Sequence, residues 1–360
     1  MKTLTKRILA VSAITAGAGL AIMGIGMGLG GHPGVVFSSS GIRSSYEESE
    51  PYFQKKMQID AFSNLDLNID SEADIQILPS DDNKYYVEYL LHGDYSKPVC
   101  KVANDTLTLS QTASREHVMT ILGFNFRPSE TTSPYITLYL PEDTTLKQSD
   151  IYNDYGIVEV SGLKSQAVSI DASYGNIILD HISAKDMKLK TDTGTILADA
   201  LKADKLSVVS EYGSAEFKES VLGNADFQMD DGDLVFDIVK SDSLNVISED
   251  GNIHLKDTSC KTADFALAYG DLDFDAAAMD SLDCTMEYGS LNLSLPVTIQ
   301  NYQLAVELEY GDLSLPEDAL LEHYQDEDGE VSYHTASSKE NTEKIITIRS
   351  QDGNVNINYR

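Results

Sequence analysis

The sequence predicts an all-β fold: a single-stranded β-solenoid (β-helix) with 19-residue turns, following one N-terminal transmembrane helix. Three observations predict it. Glycine recurs at a constant spacing, at Gly156, Gly175, Gly194, Gly213, Gly232, Gly251, Gly270 and Gly289. The residues around these glycines alternate between apolar and polar with a period of two. One long uncharged apolar stretch precedes everything else. A fixed period of this kind marks identical units stacked so that each covers its neighbour's apolar face.

Residues 1–7, with Lys2, Lys6 and Arg7, read as a cytoplasmic stub. Residues 8–31 carry no charge and, as a helix, would extend about 36 Å, more than the roughly 30 Å hydrocarbon core of a bilayer. They are read as a transmembrane anchor. The competing reading is a cleaved signal peptide with Ala16, Gly17 and Ala18 as its small-residue site, but cleavage there would leave Ile22, Met23, Ile25 and Met27 as an exposed apolar tail. Positive charge before the segment and none soon after it predicts a single pass with the C-terminal domain extracellular. Residues 32–52, rich in Ser, Gly and Glu, read as a juxtamembrane linker.

Residues 53–150 alternate as strands near 74–78, 85–91, 106–110 and 135–140 without the glycine phase, and are read as irregular N-terminal turns or a cap. Residues 151–316 form the regular block. The second position after each glycine reads Val158, Ile177, Ile196, Ala215, Leu234, Ile253, Leu272 and Leu291; the fourth reads Val160, Leu179, Ala198, Phe217, Phe236, Leu255, Phe274 and Leu293. Two further apolar columns run through Val168, Met187, Leu206 and Ala225 and through Ile170, Leu189, Val208 and Phe227. Alternation of this kind is the signature of half-buried strands. Each unit therefore supplies two short strands, turned sharply at the glycine and more loosely about halfway on. Glycine recurs because the sharp corner needs positive φ or close backbone approach. Right-handed coiling follows the usual rule for connected parallel strands. The corner returns at Gly311 and Gly353, so residues 317–360 are read as a C-terminal loop followed by the final strand or cap.

The chain has 58 acidic and 26 basic residues, a formal charge of −32, and 42 % hydrophobic residues. Such a surface repels nucleic acid and attracts cations, basic polymers and cationic peptides. Cys100, Cys260 and Cys284 are too scattered for a disulfide framework or zinc site and are expected to be free, with Cys284 in the core. The seven histidines share no column and no metal-ligand spacing.

One column draws attention chemically. The residues before the glycines are Tyr155, Tyr174, Thr193, Tyr212, Asp231, Asp250, Tyr269, Tyr288 and Tyr310, a tyrosine ladder interrupted by acids. Aromatic ladders bind sugars or apolar partners when exposed; partial burial against the next turn is the expectation taken here. Asp231 and Asp250, one turn apart, would repel by roughly 3 kcal/mol at an effective dielectric of 20. Calcium would relieve that repulsion, yet the calcium β-roll nonapeptide pattern is absent. No catalytic, cofactor-binding or metal residue is assigned, no cofactor is called for, and the chain is not read as an enzyme.

The N-terminal anchor followed by Tyr/Asp-Gly-x-hydrophobic-x-hydrophobic repeats resembles the putative-adhesin β-strand-repeat family of bacterial envelope proteins, which includes LiaG-like proteins. The resemblance covers about residues 53–360 and implies a non-catalytic, adhesin-like binding or envelope-stress sensing module at the cell membrane. A cell-envelope polymer or envelope protein is the implied partner. The alternative is an extracellular carbohydrate-active β-helix enzyme using surface carboxylates.

Overall fold

A computed structural model describes residues 3–29, 35–38, 41–44, 50–93, 95–112, 133–325, 331–335 and 343–360. The chain is 67 % strand and 7 % helix. It divides into two compact units. The first contains the helix Thr3–Gly28, with Leu9, Val11, Ile14, Leu20, Ile22, Met23 and Ile25 exposed, and an antiparallel pair of Val35–Ser38 with Gly41–Ser44. That pair lies within the stretch expected to be a linker.

The second unit, residues 52–91, 97–112 and 134–360, holds the repeats. In each regular unit a long strand is followed by a short one: Thr145–Tyr155 with Val158–Ser161, Lys164–Tyr174 with Ile177–Asp180, Ser183–Thr193 with Ile196–Asp199, Lys202–Tyr212 with Ala215–Lys218. Long strands pair with long and short with short, always parallel, as in Lys164↔Ser183 and Ile177↔Ile196. Hydrogen-bonded neighbours stand 19 residues apart, so equivalent positions stack in columns at about 4.8 Å per step.

The expected inward columns are buried, and three more join them. Leu163, Ile182, Leu201 and Val239 form one, Ala184, Ala203, Leu222 and Cys260 a second, and Ala172, Met229, Leu267 and Met286 a third. The long strand starts earlier than the alternation suggests because it bends. In Ser183–Thr193, Lys185 and Asp186 both face outward in succession before Met187 turns in, and the pairing skips Gln166 and Lys185. That break in phase hides the extra columns from a period-two reading. Inside, Phe217, Phe227 and Phe236 meet edge to face at 5.3–5.7 Å, a geometry that adds to their area burial.

The two corners of a repeat are unlike. At the first, Gly270 has φ +124°, and a Cβ there would overlap the Gly251 carbonyl. Glycine is required on both counts. The second corner also takes positive φ, at His181, Ala200, Glu219, Ile238 and Asp257, with values of 45–61°. Only Gly162 among the equivalent residues is glycine. The strain is compensated by the stack: His181, Ala200, Glu219 and Ile238 each donate their backbone N–H to a carbonyl of the next repeat.

Both ends of the stack depart from chain order. Asn64–Glu72 and Asp74–Pro79 lie between Thr145–Tyr155 with Val158–Ser161 on one side and Thr106–Gln111 with Tyr135–Leu140 on the other. At the far end Ile345–Asp352 and Val355–Tyr359 insert between Ser281–Tyr288 with Leu291–Leu295 and Gln303–Tyr310 with Leu313–Ser314. The corner at Gly353 thus packs on Gly289, and Gly311 packs on Gly353, reversing the order implied by reading along the chain. Antiparallel strands finish each end: Tyr52–Gln58, Tyr86–Leu91 and Val99–Ala103 at one, Leu321–Gln325 and Val331–Thr335 at the other. The latter two form a hairpin in the stretch expected to be a long loop. Switching to antiparallel pairing blunts the open edge that a parallel stack would present.

Candidate binding surface on the glycine corner

The last buried position of a long strand such as Ser183–Thr193, Lys202–Tyr212 or Lys240–Asp250 is followed by two successive outward ones, so the alternation breaks and the residue just before the corner glycine projects to solvent. Register carries this column across the whole stack in the spatial order Glu72, Tyr155, Tyr174, Thr193, Tyr212, Asp231, Asp250, Tyr269, Tyr288, Asp352, Tyr310. Its tyrosines are partly covered, with relative exposure running from 42 % at Tyr288 to 64 % at Tyr212 and Tyr310. Two pairs stack nearly face to face, Tyr155 on Tyr174 at 5.0 Å and Tyr269 on Tyr288 at 5.1 Å.

The neighbouring columns differ in role. After the glycine, Asn176, Ser214, Asp233, Asn252 and Asp271 each accept the backbone N–H of the equivalent residue one repeat on, at 2.8–3.2 Å. These side chains are structural, a ladder that runs unbroken from Ser214 to Ser290 and ties corner to corner. Beneath the corner, Ser210 donates its hydroxyl to the Gly213 carbonyl and Asn153 its amide to the Gly156 carbonyl. Two residues before the glycine, the outward column contains Asp154, Asp192, Glu211, Asp230, Glu249 and Glu287. Of these, Asp192 holds Lys190 at 2.8 Å, a contact that raises the lysine's pKa. Among the described residues Glu211, Asp230, Asp231, Glu249, Asp250 and Glu287 make no ion pair with Lys, Arg or His.

Elsewhere the surface charges pair between repeats. Lys256 meets Asp237 at 3.1 Å, His254 meets Asp273 at 3.0 Å, Lys205 meets Asp186 at 3.9 Å and Lys261 meets Asp242 at 2.6 Å. A shallow groove of about 480 Å³ runs over the bend of the long strands, lined among others by Lys202, Asp204, Val221, Gly223, Lys240 and Asp242. Its lysines and aspartates alternate, so it has no single sign of charge.

The register sets Asp231 beside Asp250, as the calcium idea requires. Yet among the described residues no three His, Cys, Asp or Glu side chains are grouped to hold a metal ion. The cysteines are free; Cys260 and Cys284 are buried, and burial pushes both thiols up to about 12, which suppresses the reactive thiolate. His32 and His117 lie outside the described residues.

The helix contains one span, Leu9–Gly26, long and apolar enough to cross a membrane; a signal sequence has the same character. The chain belongs to the Toastrack DUF4097 family, whose model matches residues 62–213 and 196–358. No curated protein matches it in sequence. Solved structures similar to it include a putative lipid binding protein from Parabacteroides distasonis, 17 % identical, covering 86 % of this chain and 96 % of that one with a TM-score of 0.42. A putative adhesin from Bacteroides fragilis is 15 % identical, with coverage of 85 % and 96 % and a TM-score of 0.31. A putative adhesin from Parabacteroides distasonis is 14 % identical, with coverage of 68 % and 90 % and a TM-score of 0.38.

Proposed function

We propose that this Toastrack chain is a membrane-anchored, single-pass β-solenoid with 19-residue, right-handed turns, displayed outside the cell as a non-catalytic, adhesin-like binding or envelope-stress sensing module. The observation that carries the reading is the glycine corner: an aromatic and acidic column, exposed along the stack, whose tyrosines the core does not need. The apolar helix supports anchoring, and the charge of residues 1–7 supports the orientation. A cell-envelope polymer or envelope protein is the partner class, and the repeated column offers it equivalent contacts at every step.

Two measurements test this. Protease added to intact cells is expected to digest the C-terminal domain while an N-terminal tag stays protected, with the anchor residues still present in the mature chain. The full chain is expected to be retained on envelope material without cleaving it. Reproducible glycan cleavage lost on substitution of a surface carboxylate would replace the binding module with a carbohydrate-active enzyme.

A further inference from the structure

We infer that the glycine corner docks an extended, arginine-rich peptide segment of a partner protein. The inference rests on the binding-module reading and names the chemistry of its partner. Three features of the corner carry it together.

The first is charge. Across two adjacent repeats Asp230, Asp231, Glu249 and Asp250 stand on the outward columns with no Lys, Arg or His paired to them among the described residues; on the other faces some acids, Asp186, Asp237 and Asp242, are matched by a lysine and others, such as Asp204 and Asp226, are not, so what sets the corner apart is two such acids side by side in each of two consecutive repeats. The acids are spaced along the stack and not grouped about a point. Such a row complements positive charges distributed along a chain better than one small cation.

The second is the aromatic frame. Tyr212 stands on one side of this acidic row and Tyr269 on the other, both more than half exposed. Aromatic faces beside unpaired carboxylates suit guanidinium, which stacks on a ring while its edge donates to an oxygen. Lysine lacks the planar group.

The third is a vacancy in the ladder. Thr193 occupies the step between Tyr174 and Tyr212. Where tyrosines occupy consecutive steps they stack at 5.0 Å; two steps make about 9.6 Å, room for one planar group between two rings. Glu211, on the outward column beside Tyr212, supplies a carboxylate next to that slot. Sugar rings would compete for the same exposed faces of Tyr212 and Tyr269, but a guanidinium matches ring and neighbouring carboxylate together, so peptide is favoured over glycan.

The test uses the full chain in zwitterionic phosphatidylcholine nanodiscs, with fluorescent oligo-arginine, oligo-lysine and oligo-glucosamine as probes read by anisotropy. Oligo-arginine is expected to bind saturably and most tightly. The pair Asp231→Asn with Asp250→Asn is expected to weaken it about tenfold, and the charge-matched pair Asp226→Asn with Asp264→Asn, exposed on Val221–Asp231 and Ile253–Tyr269 but away from the corner, less than about twofold. Tyr212→Leu is expected to erase the preference for arginine over lysine. Equal weakening by both aspartate pairs, or tighter binding of oligo-glucosamine, would overturn the proposal. Envelope retention measured on the same variants separates the two readings. If retention depends on the corner while oligo-arginine binding does not, only the peptide partner fails; if neither depends on it, the corner fails as a binding face.

Discussion

Within a single repeat the chain passes twice through positive φ, at Gly232 and six residues later at Ile238, and again at Gly251 and Asp257 in the next. The first corner brings backbones together so closely that any Cβ meets the preceding glycine's carbonyl. The second leaves its side chains exposed or half-buried, so His, Ala, Glu, Ile and Asp all serve there at a modest conformational cost. Charge follows the same division. Around the second corner ion pairs link repeats, as at Lys256 with Asp237 and Arg360 with Asp257, while at the first Asp192 holds Lys190 but Asp230, Asp231, Glu249 and Asp250 have no basic partner among the described residues and tyrosines flank them. Steric demand fixes one residue of the glycine corner and leaves its neighbours free for recognition.

Substitutions can break this comparison, beginning with the glycine itself. Gly232→Val imposes both a β-branched side chain at φ +132° and an overlap with the Gly213 carbonyl; it is expected to cost about 3 kcal/mol or more, read as a lowered Tm of the full chain. A wild-type melt would show that the corners do not approach as closely as described. Asn252→Ala removes the acceptor for the Asp271 N–H and is expected to cost about 1 kcal/mol in denaturant titration. Ile238→Gly should act in the opposite direction: relief of left-handed strain of ~1–2 kcal/mol outweighs the ~0.5–1 kcal/mol entropic cost of glycine, so Tm rises slightly. A fall in Tm would mean that Ile238 is not strained. Lys256→Ala, which removes an exposed pair with Asp237, is expected to change stability by less than about 0.5 kcal/mol, even at low salt.

The same contrast explains what was legible in the sequence. The glycine corner announces itself because no other residue fits. The second corner is silent because strain of that size is tolerated by any side chain that reaches solvent. The inward columns through Val158 and Val160 show in the alternation, whereas Ala184 and Ala203 do not, because the bend at residues such as Lys185 and Asp186 shifts the phase and small side chains carry little hydrophobic signal. Chain order at the far end was equally hidden: Leu291 and Leu293 pair with Val355 and Ile357 through the same apolar alternation that the strand beginning at Leu313 presents, so pattern alone does not say which unit is inserted. At the candidate site the tyrosine column was visible, and Tyr155 with Tyr174 and Tyr269 with Tyr288 pack turn on turn, but how far Tyr212 and Tyr310 reach into solvent was not. The buried column through Ala172 and Met229 continues the alternation, which alone would turn the residue touching the glycine inward; two successive outward positions, as at Asp230 and Asp231, break the phase and leave it outside.

If the glycine corner, and no other face, meets the partner, tyrosine footprinting by mass spectrometry on the full chain with and without oligo-arginine will register it there. Protection confined to Tyr174, Tyr212 and Tyr269, with Tyr52 and Tyr359 unchanged, is the predicted result; protection spread evenly over all five, or concentrated on Tyr52 and Tyr359, would contradict it.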